Sequence, residues 1–214
     1  MPDFNLTLFL FRIPAAFFAL VLHEMVKARC SAYLGDPTPA KSGLMRGNPF
    51  KYLDPIGFII TALFGFGWGK PTPTSPLYYK DRKKGILITY ITPSVANLFV
   101  GLLIALFVGI LNIVAFQAFI NASVGMAVSM SWLFTFLATF ARCSINIALF
   151  NMIPVPPLDA SKLLQAALSP NAAVKFAQNE KLLQLVLIML VVLGIVSAII
   201  YPITEQLVNI AWYW

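Results

Sequence analysis

Leu22-His23-Glu24-Met25-Val26-Lys27 stands near the end of an apolar run that starts at about Phe4. It carries the only histidine of the chain, beside a carboxylate and one helical turn before a lysine. Polar and charged side chains at that depth are costly in hydrocarbon, so they face a protein interior or mark a functional site. On an α-helix, residues i and i+4 share a face. A His-Glu-x-x-His run therefore sets two imidazoles where one zinc ion can take both, with the glutamate beside it as general base. Here Lys27 stands where the second imidazole would be, and an ammonium has no lone pair to give.

The rest of the composition agrees with a membrane helix at this position. Of 214 residues, 59% are hydrophobic and 11% are charged, and the mean hydropathy is +0.82. Soluble domains carry roughly 25% charged residues, so the numbers predict one integral membrane domain over residues 1–214. The formal charge of +7 has a topological source. Nearly all the Lys and Arg fall between Lys27 and Lys51, Lys70 and Lys84, or Lys162 and Lys181, and none lies between Gly85 and Ala141. Clustering of basic residues in loops predicts that these stretches face the cytosol, against anionic lipid headgroups, with no nucleic-acid partner. Met1-Pro2-Asp3-Phe4 lacks a basic start and a small-residue cleavage site, so the first apolar segment is expected to stay in the membrane. Cys30 and Cys143 show no metal-type or disulfide-type spacing and read as packing residues.

Taken in order, Phe4 to about Leu34 is long enough to cross ~30 Å of hydrocarbon. Arg12 within it is expected to snorkel to the outer headgroups, and Gly35-Asp36-Pro37 ends it. Residues 36–53 predict irregular structure or short strands. Phe58 to Gly67 is too short to span and predicts a re-entrant segment, tolerated only where protein or a water-filled cavity covers it. Gly85 to Leu111 and Met126 to Ile153 predict two further spans, joined by an uncharged outer connection over Asn112 to Asn121. Asn97 needs a partner inside the first of these, and Arg142 in the second is expected to snorkel or to pair within the bundle. Pro154, Pro156 and Pro157 predict a stiff non-helical strand carrying Asp159. Leu182 to Ile200 predicts the last span. Pro202 then starts an interfacial tail anchored by Trp212, Tyr213 and Trp214. The predicted fold is thus all-α: a polytopic helical bundle of about four spanning helices, a re-entrant segment and an interfacial C-terminal tail.

Several of these stretches resemble the site-2 protease family, the intramembrane zinc metalloproteases, in its short bacterial form. The family's His-Glu-x-x-His motif is matched at His23 and Glu24 and departs at Lys27. Its Asn-x-x-Pro-x-Pro-x-x-Asp-Gly segment is matched at Asn151, Pro154, Pro156 and Asp159, with Ala160 for the glycine. Of its Gly-Pro-x-x-Asn segment the chain keeps Asn97, preceded by Pro93-Ser94. The runs Arg46 to Gly57 and Gly67 to Pro73 are similar as well, so the likeness covers almost the whole chain in order.

The resemblance implies a buried site reached from the cytosolic side of a bacterial cytoplasmic membrane. There a zinc ion held by His23 and Asp159 would act with Glu24 as base, and Asn97, Asn151 and Pro154 would line a groove for a transmembrane segment. Catalytic zinc takes three protein ligands and a water, and this chain offers two. Cys30 lies two turns from His23, ~10.5 Å along the helix axis and too far to complete the set. Cys143 could serve only if its helix passes the site. The expectation that follows is an ion pair from Lys27 to Asp159 and to Glu24 in the metal's place. The expected function is a non-catalytic pseudoprotease that binds transmembrane or juxtamembrane segments of partner proteins. The alternative is an active intramembrane zinc metalloprotease with an unusual metal site.

Overall fold

A computed structural model describes residues 6–120 and 124–212. Met1 to Phe4, Asn121, Tyr213 and Trp214, on which some of the expectations above rest, lie outside them. Within the described residues the chain is helical, without a strand, including the 36–53 region where short strands were an alternative. Among the described residues four helices are long and apolar enough to cross a membrane.

Helix α1 (Leu6–Tyr33) carries the His23 stretch on its inner face: Ala15, Ala16, Ala19, Leu20, His23, Glu24 and Lys27 are buried. A loop follows that holds the short α2 (Thr38–Lys41) and two 3-10 turns. Helix α3 (Pro55–Phe64) is the expected re-entrant element. Its N-terminus is written in Asp54-Pro55: the Asp54 carboxylate accepts from the Gly57 amide at 2.8 Å, and proline takes the first helical position. Gly65, at φ +75°, ends it.

A ten-residue helix leaves its last carbonyls open, and at membrane depth protein must close them. Arg12 of α1 donates to the Leu63 carbonyl at 2.9 Å, and Tyr201 donates to that of Phe64. Asn146 reaches the Gly65 carbonyl at 3.2 Å, and Asn151 that of Gly67 at 3.4 Å. Arg12, expected to snorkel, thus has an acceptor within the protein, because α3 ends beside it.

Helix α4 (Arg82–Ile120) runs unbroken through Pro93 and through most of the stretch expected to be the outer connection. Helix α5 (Val124–Phe150) returns, and α1, α4 and α5 pack together as the centre of the bundle. Gly101 makes the α4–α5 approach possible, since a Cβ there would stand 2.9 Å from the Ala141 carbonyl oxygen. After the proline run come α6 (Asp159–Ala167), α7 (Pro170–Gln178), α8 (Glu180–Val192) and α9 (Ile195–Trp212).

Two boundaries differ from expectation. Asp159 opens a helix and does not lie in an extended strand. The last apolar run breaks at Gly194, φ +78°, where L side chains rarely go, and not at Pro202. The fourth span is thus Ile195–Trp212, taking in residues expected to form an interfacial tail.

Candidate functional site

His23, Glu24 and Lys27 occupy successive positions on the buried face of α1, and Asp159 joins them from the first turn of α6. The helix start that brings Asp159 in is fixed locally: the Ala160 amide donates to the Asn151 carbonyl at 3.0 Å, and Ser161 to that of Leu158 at 3.1 Å. A carboxylate at a helix N-terminus is favoured by the unpaired amides and dipole there. All four side chains are buried.

Lys27 Nζ lies 2.7 Å from Glu24 Oε1 and 2.7 Å from Asp159 Oδ1. The second oxygen of Asp159 is 3.0 Å from His23 Nε2. An ionised carboxylate can only accept, so Nε2 carries the proton. His23 Nδ1 then faces inward without a hydrogen-bond partner among the described residues. Burial pushes the Asp159 carboxyl up, but the Lys27 ammonium and the His23 hydrogen bond outweigh it and hold it below the usual carboxylate range.

The second oxygen of Glu24 is also engaged. Thr72 gives it both its amide, at 3.1 Å, and its hydroxyl, at 2.8 Å. Thr72 belongs to an irregular strap from Phe66 to Ser75 that lies directly on the site. A Cβ on Gly69 would come within 2.5 Å of Glu24 Cγ, and the Lys70 amide is tied to the Tyr52 carbonyl at 2.8 Å. Sequence reading gave Thr72 no role. The only signal for it is a hydroxyl between two prolines in Pro71-Thr72-Pro73, where the backbone is held extended and its amide is free to point at a neighbour.

The other named residues fall differently. Asn97 sits one helix away, its amide donating to the Ala19 carbonyl at 3.1 Å while its Oδ1 is buried without a partner among the described residues. Asn151 bonds Ile147 and Gly67 carbonyls, and Pro154 is exposed. Cys143 packs against Ala15 and Ala19, away from a ligand position.

These residues do not fit a catalytic zinc ion. A cation already stands between the two carboxylates, and only His23 and Asp159 remain as ligands where catalytic zinc takes three from the protein. Among the described residues no group of three or more His, Cys, Asp and Glu side chains is placed to hold a metal. What the arrangement offers chemically is a closed charge network with both Glu24 oxygens engaged.

The family model for peptidase family M50 matches residues 7–194. A Bacillus subtilis (strain 168) protein named "Putative zinc metalloprotease YwhC" is 29% identical over 185 residues, covering 86% of this chain and 81% of that protein. No solved structure matches.

Proposed function

This chain belongs to peptidase family M50, and from that premise we propose that it is a non-catalytic member, a pseudoprotease that binds a transmembrane or juxtamembrane segment of a partner protein. The observation that carries the reading is the position of the Lys27 ammonium, 2.7 Å from Glu24 and 2.7 Å from Asp159. Activating water for attack on a peptide needs a base with a free lone pair and an electrophile that polarises the carbonyl. Three donors already occupy Glu24, Lys27 on one oxygen and the Thr72 amide and hydroxyl on the other, and an ammonium paired to two carboxylates polarises little else.

In this reading His23 and Glu24 hold a polar network together, and a substrate groove of the kind the family resemblance implies, near Asn97, Asn151 and Pro154, does the binding. An amide oxygen such as Asn97 Oδ1, buried and unpaired among the described residues, suits a donor from an incoming backbone. The protein lies in a bacterial cytoplasmic membrane, with its basic loops facing the cytosol and its apolar helices facing lipid.

The alternative is an active intramembrane zinc metalloprotease, favoured by the retention of His23, Glu24 and Asp159 together. One experiment separates the two. The protein is purified, its metal content is measured per chain, and it is reconstituted with a generic transmembrane substrate. Substoichiometric metal and an uncut substrate are expected. Stoichiometric zinc that disappears in His23→Ala, or cleavage that requires Glu24 and stops with a chelator, would overturn the non-catalytic reading.

A further inference from the structure

Helix α9 carries charge and amide side chains on a face that the bundle leaves open. Pro202, Glu205, Gln206 and Asn209 are all exposed, and their spacing of three and four residues puts them on one stripe of the helix. Beside the stripe, Arg142 of α5 holds Glu205 in a two-point ion pair, Nε to Oε1 at 2.7 Å and Nη2 to Oε2 at 3.1 Å, with the guanidinium 4.8 Å from the centre of the Trp212 ring. The pair is only partly covered: the side chains are 31% and 48% exposed.

Their depth makes this costly. Arg142 neighbours Ala141, which contacts Gly101, and Gly101 is the middle residue of α4, the longest membrane helix. Glu205 lies ten residues into α9, about 15 Å from its start and about 10 Å from its end. Ionised and amide side chains at that level turn inward or pair with one another, because lipid offers them nothing. Here they face out.

We infer that this face is covered by a second copy of the chain, packed across a two-fold axis along the membrane normal through the Arg142, Glu205, Gln206 and Asn209 surface of α5 and α9. The chemistry of the face selects a like copy. It carries one positive and one negative charge at one level, so a copy turned by 180° presents Glu205 to the side of Arg142, and Arg142 to the side of Glu205, with no net charge left over. Gln206 and Asn209 have side chains that donate and accept at once, which lets each pair with its own symmetry mate. An unrelated helix would need a matching acid, base and amides at the same depth.

The test is cross-linking in native membranes. With Cys30 and Cys143 replaced by alanine, Asn209→Cys is oxidised with copper phenanthroline beside Phe99→Cys, an outward position on α4. A disulfide-linked dimer is expected at 209 and not at 99. In vesicles, energy transfer between two labelled pools of the unmodified chain should persist as lipid is added, and Gln206→Leu with Asn209→Leu should weaken it by about tenfold, the size of two or so interhelical hydrogen bonds in a membrane. Equal cross-linking at both positions would overturn the inference. So would monomers at every dilution, or a 209 cross-link formed only to a different protein.

Discussion

Replacing Lys27 by methionine would leave Glu24 and Asp159 buried at the site without their shared cation. Breaking a buried pair by removing one partner costs about 3 to 5 kcal/mol, because the stranded charge cannot return to water. Lys27→Met is therefore expected to lower unfolding stability by that order in detergent, measured by thermal or chemical denaturation. Adding Glu24→Gln and Asp159→Asn to it should recover most of the loss, since neutral amides no longer need the ammonium. If the single variant unfolds like the unaltered chain, the network is not what holds α1 to α6. At this scale the sequence was legible where residues lie in a spaced motif. His23 and Asp159 are 136 residues apart, and in the sequence only the resemblance to the site-2 protease motifs joins them. Thr72 was not legible. It acts on Glu24 from an irregular strap whose path depends on tertiary packing, and no periodicity announces such a contact.

The helices that cross the membrane follow from apolar length, and α3 follows from the failure of that length. What apolar length does not encode is how a short helix is closed. Arg12 and Tyr201, both on spanning helices, supply that at Leu63 and Phe64, while Asn146 and Asn151 hold the Gly65 and Gly67 carbonyls just beyond the helix end. Their targets are carbonyls, which a sequence reading cannot tell apart. Nor does it show that Gly194, and not Pro202, divides the last apolar run, since either residue can stop a helix.

The strap's fit on α3 gives a clear test of packing at this scale. A Cβ on Gly57 would stand 2.1 Å from the Trp68 carbonyl oxygen, backbone that cannot swing aside, whereas one on Gly125 meets nothing within 4 Å. Gly57→Ala is expected to destabilise by about 1 to 3 kcal/mol as an overpacked site. Gly125→Ala should stabilise α5 by up to about 1 kcal/mol through helix propensity. Unfolding curves of the two variants side by side measure both. The other end of the strap is tied by Asp36, whose carboxylate accepts from the Ser75 amide at 2.7 Å, the Thr38 amide at 2.9 Å and the Ser31 hydroxyl at 2.8 Å. Burial pushes this carboxyl up, but the hydrogen bonds from Thr38, Ser75 and Ser31 outweigh it and leave it below its ordinary value. The unfolded chain then binds the proton more readily than the folded one. The contribution of Asp36 is present in full above the unfolded value of about 3.9 and is lost as pH falls through the folded one. Asp36→Asn should lower stability at neutral pH and flatten its fall on acidification. An unchanged acid limb would assign that fall to other carboxylates.

For the molecule as a whole, the charge of the site decides how stability should respond to metal. A native state that holds zinc gains RT ln(1 + [Zn]/Kd), about 4 kcal/mol when the metal is a thousandfold above Kd, and a chelator removes that gain. In this chain the two carboxylates already share Lys27, a cation that is covalently part of the fold and always at the site. The three helices packed at the centre, α1, α4 and α5, should then need nothing from solution to stay together. The melting temperature in detergent is expected to be the same with and without a strong chelator, and added zinc should not raise it. Lys27→His together with Ala160→Gly changes both terms: it removes the resident cation and supplies an imidazole, with a glycine behind Asp159 in the first turn of α6. That double variant should melt lower in chelator than the unaltered chain and higher when zinc is returned, with one zinc recovered per chain. A double variant that takes up no metal would mean that the strap over Glu24 has closed the space a hydrated ion requires. In that case Lys27 and Thr72 have jointly fixed the molecule in a form that one ligand cannot reverse.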